Sequence, residues 1–382
     1  MIGKRLLCCL LVLTLSVFSV GCWDTKEIEQ MVYVNAIGID FKDGQYSIYA
    51  QAISFSNLAK KEAGGQQSPD QIWVGRGYGR TIDRATDNLY PSSQTQVSWG
   101  HMKAVILSDS ALRRGAYHEM LDAFARFGEI RSELYVFATK EPLVDLLTAH
   151  PILNLSSLFT QMVNPESNYQ QFSIISPVSM REFNAYLREP SRTLVCPYLS
   201  VTKKRWSVNK KYFSVMQISG AALLKEGKYK GDLIGDEMRG LHWTQKKVGR
   251  AVLYVYEQDH PIATINFEHP KSKIKVHIEG GVPRFSIEIK ATGAINELMQ
   301  PRSQQNLTKQ SEQLIADHVR KTYQTALKKG ADVLQLEAAL YQKEPQLWRT
   351  LNKKGSILDE QSLQSIDVKV NLASSGALKL LK

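Results

Sequence analysis

The feature that most limits how this chain can fold is an apolar segment that stops at a cysteine near the N-terminus. The chain begins MIGKR, and residues 6–20 then carry no charge. A short basic segment followed by an apolar one is typical of a secretory signal. As a helix the apolar segment would be about 22 Å long, against the ~30 Å hydrocarbon core of a bilayer. We therefore expect residues 1–21 to be a signal peptide that is removed, and the rest to be exported.

The apolar segment ends Ser19, Val20, Gly21, Cys22. This ending resembles a bacterial lipobox, in which diacylglycerol is linked to the cysteine thiol and a peptidase then cuts before that cysteine. A thiol is the soft nucleophile that such a transfer needs. Ser19 departs from the motif, where Leu, Val or Ile is usual. The resemblance implies that Cys22 becomes the first residue and carries the lipid anchor, and the alternative is an ordinary signal peptide with a chance cysteine.

Lipidation would leave Cys196 as the one free thiol of the mature chain, because Cys8 and Cys9 leave with the signal. An intrachain disulfide is then impossible, so the fold must be stabilised by its core. The length after the signal is sufficient for two or three domains. The apolar surroundings of Cys196 predict that its side chain packs as a small hydrophobe.

The formal net charge of +11 favours an anionic partner. Basic surfaces bind nucleic acid, or they lie against anionic lipid headgroups, where each Lys or Arg contributes about 1 kcal/mol. Export favours the membrane, so no nucleic-acid partner is predicted. The basic runs VTKKRW and KKYF are expected to be solvated faces.

Residues 22–202 are predicted to form an N-terminal α/β region, and a split into two subdomains near 140–150 is left open. Two β-rich runs flank the pair Asp43-Gly44, which indicates a hairpin. The polar stretch 57–70 is expected to be a mobile loop. Apolar spacing predicts one helix that begins at Asp109 and ends at Gly128. Ser179 and Glu182 have the spacing of a capping box.

The basic segment 203–212 is predicted to be a linker, because it combines charge and Asn with little apolar content. The C-terminal domain is then 213–378, a β-sheet followed by a long amphipathic helix over 306–329 and a final strand over 365–372. The predicted β runs of its sheet are 216–224, 229–234, 251–257, 262–267, 274–279 and 284–295. The fold class is α+β and multi-domain, with mixed β-sheets and packed helices in a several-lobed lipoprotein ectodomain.

The histidines complete no catalytic or metal motif. His118 and Asp122 have the one-turn spacing of a zinc helix, but the second histidine is missing, so a solvated helix surface is the better interpretation. The glycines of residues 75–79 lack the pattern of a phosphate loop and fit a turn between strand and helix.

Nucleophilic catalysis is not supported either. Two Ser-x-x-Lys tetrads, 200–203 and 207–210, lack the Ser-Asp-Asn and Lys-Thr-Gly elements of transpeptidases. A cysteine mechanism would have only Cys196, in an apolar stretch before a proline. No catalytic residue, metal site or cofactor is predicted.

Four segments, taken in order, resemble one family. They are CWDTKEIEQMVYVNAIGID (22–40), WGHMKAVILSDSALRRGAYHEMLDAFARFGEIRSELYVFATK (99–140), SGAALLKEGKYKGDLIGDEMRGLHW (219–243) and GADVLQLEAALYQKEPQLWRTL (330–351). They are similar to the signature segments of the Ger(x)C family of spore germination proteins. Lys26 departs from the family, which usually has an arginine near Asp24.

The resemblance implies a non-enzymatic lipoprotein subunit of a nutrient germinant receptor on the outer face of the spore inner membrane. It implies two integral-membrane partners, the A and B subunits, and a fold of several mixed α/β domains. The alternative is a lipid-anchored solute-binding protein that presents the nutrient, although its clamp would need two similar lobes. A cell-wall enzyme is disfavoured by the missing motifs. The segment 239–243 and Trp348 are either exposed partner anchors or parts of the core.

Overall fold

The structure is a computed structural model, which describes residue 3 and residues 31–53, 72–149, 151–355 and 357–373. Apart from residue 3, the predicted signal peptide lies outside the described residues, as do Cys22 and the polar stretch 57–70. Within them the fold is α+β, with two mixed sheets and helices packed on them, as predicted.

Strands and helices alternate in the first half of the described chain, and long strands precede three helices in the second. The strands are β1 (Met31–Lys42), β2 (Gln45–Ile53), β3 (Trp73–Gly79), β4 (Gln96–Ser98), β5 (Ala104–Ser108), β6 (Tyr135–Thr139), β7 (Thr193–Val208), β8 (Lys211–Lys225), β9 (Lys228–Ile234), β10 (Arg250–Glu257), β11 (His260–Glu279), β12 (Val282–Leu298) and β13 (Leu363–Ala373). The helices are α1 (Ile82–Asp87), α2 (Asp109–Arg114), α3 (Tyr117–Arg126), α4 (Leu143–Leu147), α5 (Pro165–Gln171), α6 (Met180–Arg188), α7 (Leu241–Thr244), α8 (Gln304–Lys328), α9 (Leu336–Lys343) and α10 (Pro345–Asn352).

The first sheet contains β1 to β9 in the order β3-β2-β1-β5-β6-β7-β8-β9, and β4 also pairs with β1. Its centre is parallel, because β1, β5, β6 and β7 run in the same direction. The hairpin predicted at Asp43-Gly44 is confirmed: both residues have positive φ, 52° and 76°, as the turn requires.

Helices cover both faces of this sheet. On one face α2, α3 and α6 bury Leu112, Met120 and Phe183 against strand residues such as Leu107. On the other face α4 packs against the side of the strands that carries Phe137. The central strands are therefore apolar on both sides, which is typical of parallel strands.

The prediction of one helix over 109–128 is wrong. Gly115, with φ of 80°, ends α2, and α3 begins two residues later. The N-cap is Ser108, whose Oγ accepts a hydrogen bond from the Ala111 amide at 3.1 Å. The capping box of α6 is confirmed, with the Ser179 amide and hydroxyl both donating to the Glu182 carboxylate.

Residues 203–212, predicted to be a linker, lie in a β-hairpin instead. β7 continues to Val208, and Asn209 and Lys210, with φ of 49° and 67°, form the turn to β8. Charge and Asn suggested a linker, but the same residues suit a solvated hairpin tip. The β runs 216–224 and 229–234 pair beside β7 in the first sheet.

One strand, β8, packs against two hydrophobic cores. Its Ala222 and Leu224 side chains join the core of the first sheet, whereas Ala221 and Leu223 join the C-terminal core. Successive side chains of a strand point to opposite faces of the sheet. β8 therefore lies between the two cores and contributes side chains to both. The assignment of 22–202 and 213–378 to separate domains remains a prediction.

The second sheet has the order β10-β11-β12-β13, with β12 and β13 parallel. The long helix α8, predicted over 306–329, buries Ile315, Val319 and Tyr323 in the C-terminal core. The runs 262–267 and 274–279 were predicted as separate strands. They form the single strand β11, because a bulge at His269 absorbs the irregularity between them.

A buried polar cluster joins the base of the β7–β8 hairpin to the loop and helix that follow α8. The Lys225 ammonium lies 2.5 Å from the Glu337 carboxylate, and the Asp332 amide donates to the Thr193 hydroxyl at 2.9 Å. Gln335 also donates to the Thr193 carbonyl, at 2.7 Å. Burial, and then the charge of Glu337, raises the pKa of the Asp332 carboxyl to about 7. The hairpin is therefore firmly attached at its base.

Candidate functional site: a basic aromatic arm and its groove

The residues singled out for metal or acid–base chemistry do not form a site together. The imidazole of His118 lies 2.9 Å from the Gly227 carbonyl oxygen, in the turn between β8 and β9. Asp122 instead forms an ion pair with Arg126 at 3.0 Å. Within the described ranges no group of three or more His, Cys, Asp or Glu side chains could hold a metal ion.

The glycines of residues 75–79 have a packing role. They lie in strand β3 and not in the predicted turn, and α1 crosses directly over them. A Cβ on Gly77 would lie 2.1 Å from the Ala85 carbonyl oxygen, so only glycine allows this close approach. The Ser-x-x-Lys tetrads lie on β7 and its turn, where Lys203, Ser207 and Lys210 are exposed.

Cys196 and the two tryptophans are core residues. The Cys196 thiol is fully buried, which raises its pKa, and this confirms the prediction of a small packed hydrophobe. Trp243 is 1% exposed and packs edge-to-face on Phe267 at 5.4 Å. Trp348 is 4% exposed and packs on Tyr341. The interpretation of these tryptophans as exposed partner anchors is therefore wrong, and the core interpretation is confirmed.

The most unusual surface of the described residues is the end of the β7–β8 hairpin, residues 202–213, which we call the arm. β7 last pairs with β6 at Leu199, and β8 first pairs with β9 at Gly220. Between these points, within the part of the chain that the structure describes, the two strands pair only with each other. An isolated two-stranded ribbon gains little stability of its own in water. The stability of the ribbon therefore does not explain which side chains the arm carries.

The arm exposes large apolar side chains among positive charges. Trp206, Val208, Tyr212 and Phe213 are 55%, 56%, 65% and 40% exposed. Trp206 lies directly opposite Phe213, on the other strand. All the charged residues of the arm are exposed cations: Lys203, Lys204, Arg205, Lys210 and Lys211. The arm therefore combines cations with amphipathic aromatic rings.

A groove of about 320 Å³ lies beside the arm, between it and the segment around α5. Aromatic and aliphatic side chains line it, including Tyr169, Phe172, Trp206 and Met216. Burial raises the pKa of the Tyr169 hydroxyl to about 12, so this group is neutral. The Oε1 atom of Gln161 is buried there and has no hydrogen-bond partner among the described residues. The groove can therefore accept an apolar group and offers a free acceptor.

The sequence contained a signal for the arm that composition alone concealed. Trp206 and Val208 precede Asn209-Lys210, and Tyr212 and Phe213 follow it. Apolar residues placed nearly symmetrically about an Asn-containing pair indicate a hairpin. The charges drew the prediction towards a linker, and nothing in the sequence indicated which aromatic rings would be exposed.

Comparison with known proteins gives the class of this molecule. Residues 24–201 match the family model described as the spore germination protein N-terminal domain. Residues 219–376 match the model described as spore germination B3/GerAC like, C-terminal. Together the matches cover most of the chain, and the residues between them, 202–218, contain the whole arm. The class is thus a spore germination protein of two successive regions.

Individual relatives agree with this class. The chain is 26% identical over 287 residues to spore germination protein B3 of Bacillus subtilis (strain 168), covering 74% of this chain and 72% of that protein. It is 22% identical to spore germination protein KC of the same organism, covering 92% and 90%. The crystal structure of the GerBC protein has the same fold, with a TM-score of 0.52 at 19% identity over 91% of this chain and 99% of that one.

The chain belongs to the Ger(x)C family of spore germination proteins, the family of the germinant-receptor C subunit. Within the described residues, no helix is both long and apolar enough to cross a membrane.

Proposed function

We propose that this protein is a lipid-anchored, non-enzymatic subunit of a nutrient germinant receptor. It acts on the outer face of the spore inner membrane and assembles with the integral-membrane A and B subunits to allow nutrient-triggered germination. The observation that carries the proposal is the family match over both halves of the chain, which begins at residue 24, two residues after the lipobox-like Cys22.

The anchor supplies the membrane attachment in this proposal. Diacylglycerol on the Cys22 thiol and an acyl chain on its amino group would bury many methylenes, at about 0.8 kcal/mol each. Two or more chains hold a protein on a bilayer stably, whereas one chain does so only marginally. Confinement to the bilayer raises the effective concentration of the subunits, so weak protein contacts are enough to assemble a receptor.

A non-enzymatic role is supported by where the reactive side chains lie. His118 and Asp122 hold separate partners, and the Cys196 thiol is buried and protonated. Tyr198 and Tyr229 both donate to the Asp232 carboxylate, at 2.6 and 2.7 Å, and Lys140 contacts the same carboxylate, so this polar group is internally satisfied.

The test replaces Cys22 by Ala, with Cys9→Ala as the matched control, because Cys9 leaves with the signal. We expect the wild type and C9A to begin at Cys22 with the mass of diacylglyceryl and acyl groups, and to remain in spore membranes. C22A should lose that mass, leave the membrane fraction and weaken nutrient germination, measured as the fall in optical density of a spore suspension. Normal membrane retention and germination of C22A would refute the proposal.

A second candidate function is a lipid-anchored solute-binding protein that presents the nutrient to a membrane partner. The groove beside the arm favours it, because its volume lies at the lower end of the range for small-molecule sites. The two unlike sheets disfavour it, since a clamp is built from two similar lobes.

Calorimetry with amino acids and sugars separates the two functions. Micromolar binding that is lost in Trp206→Ala, and kept in Trp73→Ala at another exposed site, would favour the solute-binding function. Absence of heat for all these compounds would favour the assembly subunit.

A further inference from the structure

The packing of the arm does not explain why it exposes cations and large apolar side chains together. It carries five cations and no acidic residue, and no described acidic side chain forms an ion pair with any of the five. Four large apolar side chains are exposed among these cations. Lysines on a free strand edge protect a sheet from aggregation, but they do not account for exposed aromatic rings beside them.

The arrangement of the side chains indicates what kind of surface would meet them. Trp206, Phe213 and Val208 share one face of the ribbon, whereas Tyr212, paired with Ser207, points to the other face. A flat protein partner would cover one face only. The headgroup layer of a bilayer surrounds an inserted tip, and there Trp and Tyr rings and Lys side chains find both apolar and polar neighbours.

The position of the arm in the sheet constrains the orientation of the whole subunit. The pairings align Ile39 of β1 with Tyr198 of β7 through β5 and β6. Met31 lies eight residues before Ile39, and Val208 lies ten residues after Tyr198. Because β1 and β7 are parallel, the two residues lie towards opposite ends of the sheet. At about 3.3 Å per residue, the start of β1 and the tip are up to ~60 Å apart along the strands.

The segment that joins Cys22 to β1 is shorter than the distance between the start of β1 and the tip of the arm. Residues 23–30 between Cys22 and β1 span at most roughly 28 Å when fully extended. In a subunit whose strands stood upright on the bilayer, the tip would lie far beyond the ~8 Å over which surface charge acts at physiological salt. The arm and the anchor can touch one bilayer together only if the strands lie along its surface.

We propose that the arm is a second membrane contact, whose tip enters the headgroup layer of an anionic bilayer, so that the first sheet lies along the membrane. The inference rests on the proposed function for the anchor at Cys22. Charge complementarity selects the lipid: the five cations meet lipid phosphates, and the exposed rings lie at the level of the headgroups. A contact at each end of the strands fixes the orientation, which attachment at a single point cannot do.

The test uses the full chain, reconstituted in vesicles through its own anchor. Val208→Cys at the tip is labelled with a polarity-sensitive fluorophore, and Val282→Cys, at the turn of the β11–β12 hairpin, is the matched control. Cys196 is buried and Cys22 carries lipid, so the introduced thiol is the one labelled. Vesicles contain either phosphatidylcholine alone or a mixture with phosphatidylglycerol, and nitroxide-labelled lipid serves as the quencher.

We expect nitroxide lipid to quench the Val208 probe in anionic vesicles and to leave the Val282 probe unquenched. Reversing two charges with Lys210→Glu and Lys211→Glu should lower the contact by about tenfold or more, because attraction is replaced by repulsion. The same reversal at Lys271 and Lys273, on exposed positions of β11, should leave the quenching unchanged.

Two results would overturn the inference. One is a Val208 probe as accessible to aqueous iodide as the Val282 probe while the protein floats with anionic vesicles. The other is shielding of Val208 that requires membrane proteins in the vesicles, which would identify the occupant as a protein. Flotation with phosphatidylcholine vesicles measures the anchor separately: failure to float refutes the proposed function, while the probe response with excess anionic vesicles still decides the role of the arm.

Discussion

Two long hairpins of similar length, β7–β8 and β11–β12, follow opposite designs. In β11–β12 a third strand pairs along β12, helix α8 covers the sheet, and both phenylalanines, Phe267 and Phe285, are buried. Lys275 and Glu288 pair across its strands, so charges of both signs are interspersed. Among the described residues no third strand pairs with the end of β7–β8, which exposes its aromatic rings and carries charge of one sign.

The difference teaches that the length of a hairpin indicates little about its role. The strands and helices that pack beside the hairpin indicate that role. β11–β12 forms one side of the C-terminal core. β7–β8 is part of a sheet at its base and a free ribbon at its tip, so its packed residues and its exposed aromatic rings are separated along the same two strands. Paired substitutions in the two hairpins, and at the base and tip of β7–β8, test this separation.

The largest effect is expected from removing a ring of the covered hairpin. Phe285→Ala should lower the free energy of unfolding by about 3–5 kcal/mol, because the ring is fully buried. Trp206→Ala in the arm should cost less than about 1 kcal/mol, the usual scale of an exposed cross-strand pair. Urea unfolding followed by circular dichroism measures both. Equal losses would mean that the arm is packed, contrary to its exposure.

The next largest effect separates the base of β7–β8 from its tip. Lys225→Ala should destabilise the protein by about 3 kcal/mol, because Glu337 would remain buried without its counter-charge. Lys210→Ala should change stability by less than about 0.5 kcal/mol, since the residue is exposed at the turn. The same urea titration compares the two. A small loss at Lys225 would contradict a structural role for the base.

A pH dependence is expected at the same base. Asp332 has a folded pKa of about 7, above its ordinary value of 3.8, so the folded state holds a proton that the unfolded state releases. Its contribution to stability is present below about pH 4 and is lost as pH rises through 7, with a slope of up to about 1.4 kcal/mol per pH unit. Glu337 and Lys225 are the charged neighbours.

Asp332→Asn should flatten that part of the pH profile, and Asp367→Asn, at an exposed position of β13, should leave it unchanged. Free energies of unfolding measured from pH 4 to pH 8 test both variants. A slope that survives in Asp332→Asn would assign the titration to another group.

The smallest effect concerns the two turns. Lys210 at the tip of the arm and Gly281 at the tip of β11–β12 both have positive φ, 67° and 80°. Gly281→Lys should cost about 1 kcal/mol, because a Cβ is disfavoured there. Lys210→Gly should stabilise by about 0.5 kcal/mol, since relief of strain is partly offset by the freedom that glycine has in the unfolded chain. Thermal unfolding measures both shifts, and the same sign for both would contradict the turn geometry.

Local signals in the sequence predicted the elements whose stability is local. Asp43-Gly44 predicted the first hairpin, the Ser179 and Glu182 pair predicted the start of α6, and apolar spacing predicted α8 within two residues. Each depends on residues close in the chain, so a short stretch contains the whole reason for the structure.

The failures have a physical cause in long-range pairing. The first sheet recruits β8 through β7, and no property of 213–234 indicates which sheet those residues join. The bulge at His269 lets β11 continue where polar residues indicated a break. Exposure of Trp206 and burial of Trp243 depend on what packs over them. The tryptophans that the sequence offered as candidates, Trp243 and Trp348, are therefore core residues, and the exposed rings of the arm could not be singled out from the sequence.

The strand shared by both cores has a mechanical consequence. Because β8 gives alternate side chains to the two cores, one core cannot rotate against the other without breaking the ladder between β7, β8 and β9. The two regions should therefore melt in one cooperative transition rather than in two. The two cores should therefore also tilt together, because β8 belongs to both of them.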